Sequence, residues 1–240
     1  MSATVQRPYR SALIVGAGPG LGASLARAFM QDAGMHVVMA ARQLDKLQPV
    51  ADALGAVALR CDATDPADVK ALFDQASERL GSAPDVVVYN ASRRVRGPFV
   101  DVDASDVAQA VAVTAHGAFL VAQQAARRML AQGHGALLFT GASASTKGYP
   151  LSAAFAMGKF ALRGLAQSLA RELHPQGIHV GHVVIDGSIR PPSDDMAATP
   201  GTADAQLDPD AIAQTYLHLL AQPRNAWTWE IEVRPWVEKF

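Results

Sequence analysis

The chain has 240 residues, 50% of them hydrophobic and 18% charged, with a formal net charge of −1. Such a chain buries roughly 70–75% of its unfolded surface, which excludes disorder as the main state. Its 21 basic and 22 acidic residues leave no strong field for a nucleic acid, and a lone cysteine, Cys61, excludes an internal disulfide and a cysteine-rich metal site.

Residues 1–10 are polar, and the first apolar run, 12–15, stops at a glycine cluster. It is too short for a signal-peptide core or a membrane span, so a cytoplasmic protein without a membrane partner is expected. Short β-branched runs predict strands over 12–15, 36–40, 57–60, 86–89, 137–140, 180–185 and 230–233. Most are continuously apolar, the pattern of parallel strands covered on both faces. Ala- and Leu-rich segments between them predict helices over 21–33, 45–54, 67–80, 105–132, 153–174 and 211–222. Asp65-Pro66 and Asp208-Pro209 offer an N-cap acceptor followed by a proline that needs no donor. Gly34, Gly55, Gly81, Gly133 and Gly177 stand where helices should stop.

Strand–helix alternation with short connections predicts one α/β domain over 1–240. It is a Rossmann-type, doubly wound, seven-stranded, mostly parallel sheet with helices on both faces. The segment 188–207, rich in Pro, Asp, Thr, Ala and Gly, breaks this rhythm after the sixth strand. Its position favours a lid over a ligand crevice, with a plain surface insertion as the alternative.

The first predicted strand runs into Gly16-Ala17-Gly18-Pro19-Gly20-Leu21-Gly22, and a helix follows. GxxxGxG fits this stretch and GxGxxG does not, because position 21 is leucine. Gly16 permits the tight turn, Gly20 admits a pyrophosphate, and Gly22 brings helix and strand close. The helix N-terminus adds N–H donors and positive dipole, so a dinucleotide cofactor is expected. An NAD-selective site would end the second strand on an acid for the ribose 2′-hydroxyl. Here Met39-Ala40-Ala41 leads directly to Arg42, whose guanidinium suits a 2′-phosphate. NADP(H) is the preferred cofactor, with NAD(H) left open.

With these landmarks, and with Asp62, Asn90-Ala91, Lys159 and Gly187 following in order, the chain resembles the short-chain dehydrogenase/reductase (SDR) family over essentially its whole length. The resemblance implies an oxidoreductase acting on a small-molecule substrate and assembling as a homodimer or homotetramer. It places Asp62 and Ala63 by the adenine, and Asn90 and Ala91 in support of the cofactor. Leu21 belongs to the glycine turn, and Gly187 to Ile189 would border the nicotinamide.

The family's proton donor is a Tyr-xxx-Lys pair, with a serine about thirteen residues upstream and an asparagine on the preceding long helix. The i, i+4 spacing puts Tyr and Lys on one helix face. This chain reads Phe155-Ala156-Met157-Gly158-Lys159, so none of its four tyrosines stands at that position. The serine position is Ala142 with Ser143 adjoining, and the asparagine position is Thr114. Lys159 and Ser143 are the remaining catalytic candidates, and Tyr149, Ser145, His116 and Asp186 are replacement acids among which spacing does not choose. The seven histidines show no metal-type pairing. Two functions follow from this pattern. One is an NADP(H)-dependent oxidoreductase with a non-standard proton-transfer site at Phe155-xxx-Lys159. The other is a cofactor-binding SDR-like protein with little redox activity, serving as a sensor or assembly partner. Val107, Val111, Phe119, Met129, Phe160 and Leu169 exceed one sheet-facing stripe and point to a subunit interface on the two long helices.

Overall fold

The computed structural model describes residues 9–192 and 204–238. Seven strands form one sheet: β1 (Ser11–Val15), β2 (His36–Ala41), β3 (Val57–Arg60), β4 (Val86–Tyr89), β5 (Gly135–Thr140), β6 (Ile178–Ile185) and β7 (Glu230–Val233). Their order is β3-β2-β1-β4-β5-β6-β7. Every neighbouring pair is parallel, the last strand included. The helices are α1 (Leu21–Gln31), α2 (Leu44–Leu54), α3 (Pro66–Leu80), α4 (Ala104–Val111), α5 (Gly117–Gln132), α6 (Ala153–Leu173) and α7 (Pro209–Ala221).

Alternate strand residues face opposite layers, which is why the strands are apolar at every position. Leu13, Val15, Val87, Tyr89, Leu137 and Phe139 pack with Phe73 of α3, Val121 of α5 and Leu162 of α6. Ala12, Ile14, Val86, Val88, Ala136 and Leu138 pack with Phe29 of α1, Leu47 of α2 and Tyr216 of α7. The predicted caps are present. Asp65 accepts from the Ala67 and Asp68 amides, and Asp208 from the Asp210 amide.

The predicted helix over 105–132 differs in one respect. A π-helical turn, Ala112–His116, joins α4 to α5. The Val113 carbonyl within it accepts a short hydrogen bond from the Tyr89 hydroxyl. A Cβ at Gly117 would lie 2.5 Å from that same hydroxyl oxygen. One extra residue per turn leaves composition unchanged, so the sequence carries no sign of it.

The run Ala104–Gln132 is long and apolar enough, by length and composition, to cross a membrane. In this fold Val121, Ala125 and Met129 are buried against the sheet. Met129 therefore belongs to the core and not to an outward stripe, while Phe119 and Phe160 are each 45% exposed. Trp227 stacks on His179, and Trp229 lies under the Arg163 guanidinium, so these two cover the sheet's edge. Trp236 is exposed.

Most of the expected lid, 193–203, lies outside the described residues. Its two ends are clamped together beyond β6. The Arg190 amide donates to the Leu207 carbonyl at 2.9 Å and the Leu207 amide to the Ser188 carbonyl at 2.8 Å. An Arg190–Asp208 ion pair at 2.6 Å closes the clamp.

Candidate active site

Two adjoining cavities open beyond the C-terminal ends of the strands, one of about 360 Å³ and one of about 560 Å³. Asn90 and Ser92 line both, so they form one groove. The groove straddles β1 and β4, neighbours in the sheet but not in the chain. That is the switch point at which open α/β sheets leave a crevice for ligand.

The smaller cavity is walled by the glycine turn, Arg42, Lys46, Asp62, Ala63 and Ala91. Gly16 has φ +84°, and a Cβ there would lie 2.3 Å from the Ala91 nitrogen. The Gly16 and Ala17 amides donate to the Ala40 carbonyl at 2.9 and 3.0 Å. Asn90 ties β4 to the same turn, its amide donating to the Val15 carbonyl at 2.8 Å and its side chain to the Gly16 carbonyl at 2.9 Å. A Cβ on Gly20 would meet nothing within 4 Å, whereas one on Gly22 would lie 2.8 Å from the Ala17 Cα. Gly20 thus faces open space and Gly22 packs the helix onto the turn. Leu21 points the other way and lines the larger cavity.

Arg42 is exposed at the smaller cavity and makes no ion pair among the described residues. Lys46, four residues on, joins it. Lys46, in the first turn of α2, carries no sequence signal of its own, because Arg42 lies outside the helix and no helical spacing links the two. The Asp62 carboxylate accepts from the Thr64 amide at 2.9 Å and from its hydroxyl at 2.7 Å. Burial pushes Asp62 up, but Thr64, Arg42 and Arg60 together hold it below its ordinary value. It serves as a fixed acceptor in the cavity wall.

The larger cavity brings together Ser143, Tyr149, Phe155, Lys159, Gly187 and Ile189. Lys159 is 3% exposed, and its amine donates to the Thr140 carbonyl at 2.6 Å. Burial lowers its pKa to about 8. The amine lies 5.8 Å from the centroid of the Phe155 ring, one helical turn earlier. Phe155 therefore forms an apolar wall beside the cation. The Ser143 hydroxyl makes no hydrogen bond among the described residues, although its carbonyl accepts from the Thr146 and Lys147 amides.

The replacement acids separate by geometry. Ser145 is fully buried and its hydroxyl accepts from the Ala142 amide at 3.1 Å, which makes it a loop brace. His116 is exposed and stacks on Phe119, away from the crevice walls. Asp186 is buried and ion-paired to Lys147 at 3.2 Å and Arg234 at 3.0 Å. Thr114 accepts from the Arg93 amide at 3.2 Å and packs where Gly158 leaves room for it. Tyr149 alone among them presents a phenol to the crevice.

Beneath the crevice lies a charged chain with no local sequence signal, because its members come from α6, β6 and β7. Arg163 binds Glu230 bidentately at 2.6 and 2.7 Å, and Glu230 meets His182 Nδ1 at 3.0 Å. Burial pushes Glu230 up, yet its bonds to Arg163 and His182 outweigh burial and keep it below the ordinary value. Burial lowers His182 to about 4, so its ring is neutral at pH 7 and Nδ1–H donates to the carboxylate. A Cβ at Gly141 would lie 2.4 Å from His182 Nε2, which is why the crevice floor carries a glycine there.

Lys159 gives a pH prediction. Its folded pKa, about 8, lies below the 10.5 of an exposed lysine, so the unfolded chain binds more protons between these values. Stability should therefore rise as pH climbs from about 8 toward 10.5. Lys159→Met should lack that rise in thermal melts across the same range. Parallel pH profiles for the two proteins would show that the amine is not desolvated.

The family model for short chain dehydrogenases matches residues 10–193. The chain belongs to the short-chain dehydrogenase/reductase family. An SDR of Armillaria gallica is 31% identical over 94% of this chain and 88% of its own length. The crystal structure of a short-chain dehydrogenase from Rhodopseudomonas palustris has 33% identity and a TM-score of 0.79, covering 96% of this chain and all of that one, 100%. A metagenomic short-chain oxidoreductase in complex with NADP has 27% identity and a TM-score of 0.79, over 94% and 97% of the two chains. The seven-stranded parallel sheet with its helices is thus the fold of solved SDR structures.

Proposed function

We propose that this SDR protein is an NADP(H)-dependent oxidoreductase with an altered proton-transfer site. The observation that carries this reading is the buried Lys159 amine beside Phe155 at one end of a groove whose other end holds Arg42 and Lys46. A buried cation is costly to keep unless something is bound against it, and no carboxylate among the described residues pairs with Lys159. The groove fits a dinucleotide on its own terms: an open Gly20, a free guanidinium and a helix N-terminus. The NADP in the metagenomic relative supports the same cofactor here.

When bound, a nicotinamide cofactor supplies or accepts the hydride. Arg42 and Lys46 would hold the 2′-phosphate, and Asp62 and Ala63 would flank the adenine. Asn90 and Ala91 keep the groove floor rigid, and Gly187 to Ile189 close its far wall. Lys159 would hold the ribose and supply positive charge at that end of the groove. Phe155 excludes water but gives no proton. The Ser143 hydroxyl is free to hydrogen-bond a substrate oxygen, leaving proton delivery to Ser143, to water or to the substrate itself. Reduction of an activated C=C or C=N bond asks less of an enzyme acid than reduction of a ketone.

The phenyl ring at 155 favours the second reading, a protein that binds the cofactor without turning it over. Consumption of NADPH across a panel of enones, imines and ketones separates the two, since binding without turnover on every class would leave only the second. For the cofactor, Arg42→Ala should weaken NADPH binding by about 10–100-fold and NADH binding by less than about threefold, as expected for one charged hydrogen-bonding pair. Equal losses in fluorescence titrations of both cofactors would remove Arg42 from the phosphate site. Exposed Phe119, Met157 and Phe160 on α5 and α6 support a homodimer or homotetramer, and a single cytoplasmic domain over 1–240 completes the reading.

A further inference from the structure

Two arginines in the loop after β4 give the crevice a charge that hydride chemistry alone does not require. The loop runs Ser92-Arg93-Arg94-Val95-Arg96. Arg93 turns to Asp106 and pairs with it at 2.7 Å. Arg94 and Arg96 instead line the larger cavity with Phe155 and Lys159.

Neighbouring arginines each have a carboxylate: Arg163 has Glu230, Arg190 has Asp208, and Arg234 has Asp186 and Glu232. Among the described residues Arg94 and Arg96 have none. The Arg94 guanidinium lies 5.5 Å over the Phe155 ring. A ring face holds the cation while leaving its N–H donors uncommitted at the edge. Two acids share this cavity wall. Asp186 is already held by Lys147 and Arg234, and Glu238 is exposed and without an ion pair among the described residues. The balance of uncommitted charge in the crevice is positive.

We infer that this crevice takes an anionic substrate, whose carboxylate or phosphate is held by Arg94 and Arg96 while its reacting carbon faces Phe155 and Lys159. The inference rests on the oxidoreductase reading, which makes this cavity the substrate site. A guanidinium binds either oxyanion through two parallel hydrogen bonds, and the ring contact holds Arg94 over the place where substrate must enter. A neutral analogue would leave these donors without their anion. The charge also fixes which way round an otherwise apolar substrate lies against Phe155.

Calorimetric titration of the protein saturated with NADP+ tests this with three paired probes. Benzoate is set against methyl benzoate, cinnamate against methyl cinnamate, and phenyl phosphate against phenol. At least one anion should bind about tenfold or more tightly than its neutral partner, and the preference should shrink with added salt. A preference among the carboxylates assigns the carboxylate, and one confined to phenyl phosphate assigns the phosphate. The double variant Arg94→Ala, Arg96→Ala should lose the preference while still binding NADP+. Equal affinity within every pair, including no measurable binding of either member, overturns the proposal, as does a preference that survives in the double variant. If NADP+ itself fails to bind, the oxidoreductase reading falls and takes this inference with it, an outcome read separately from the probe titrations.

Discussion

Phe155→Tyr is expected to raise NADPH-dependent reduction of simple ketones by about a hundredfold or more, the usual worth of a placed general acid. The new phenol would extend from a ring whose centroid is 5.8 Å from the Lys159 amine. That amine is buried, titrates near pH 8 and stays charged at neutral pH. A charged neighbour favours the phenolate and lowers the phenol's pKa toward the working range. Arg94, 5.5 Å from the same ring, acts in the same direction. Steady-state turnover with a ketone panel measures the gain, and NADPH affinity should hold constant. An unchanged rate with intact NADPH binding would mean that Ala142 and Thr114, where the family pattern has serine and asparagine, limit the site as well. Ser143→Ala and Tyr149→Phe in that background then identify any donor the native protein already uses.

Gly16→Ala is expected to cost about 3 kcal/mol or more, from backbone strain together with steric overlap. The backbone there sits at φ +84°, and the added methyl would lie 2.3 Å from the Ala91 nitrogen and 2.5 Å from its Cα. Those atoms are backbone and cannot swing aside. The end of β4 would have to move, breaking the Asn90 amide's 2.8 Å bond to the Val15 carbonyl. For a chain of this size the melting temperature should fall by about 10 °C. Gly20→Ala is the contrast, because its methyl meets nothing within 4 Å. It should melt like the native protein yet bind NADPH more weakly. Equal melting of Gly16→Ala and the native chain would show that the turn relaxes without strain.

The strands were legible because parallel strands buried on both faces must be apolar at every position. Leu13 and Ile14 face opposite layers and both are fully buried. The Asp65-Pro66 and Asp208-Pro209 caps were legible for a local reason, since acceptor and donors lie within three residues. The glycine turn, Arg42 and Lys159 were legible as a pattern in chain order. What escaped was everything set by contacts between distant segments. The π turn at Ala112–His116 answers to Tyr89 of β4, and the Arg163–Glu230–His182 chain joins α6, β7 and β6. Met129 reads as one more apolar residue on a long helix, and only the sheet beneath it makes it core.

The single cysteine and the balanced charge left a folded chain with no broad basic surface; strand–helix alternation made it α/β, and the ordered glycines, Arg42 and Lys159 gave it the resemblance to one family. Sequence order also placed a phenylalanine, Phe155, four residues before Lys159, where the family resemblance implies a tyrosine. It did not choose among Ser143, Ser145, Tyr149, His116 and Asp186, since a hydroxyl or carboxyl is a donor only if it reaches the crevice with its proton uncommitted. Tertiary structure narrowed them to Ser143 and Tyr149 by burying Ser145, turning His116 outward and pairing Asp186 with two cations. It also put Arg94 and Arg96 into the crevice while giving Arg93 to Asp106. Adjacent residues of one loop point in different directions, and only the surrounding elements decide which of them meets a ligand.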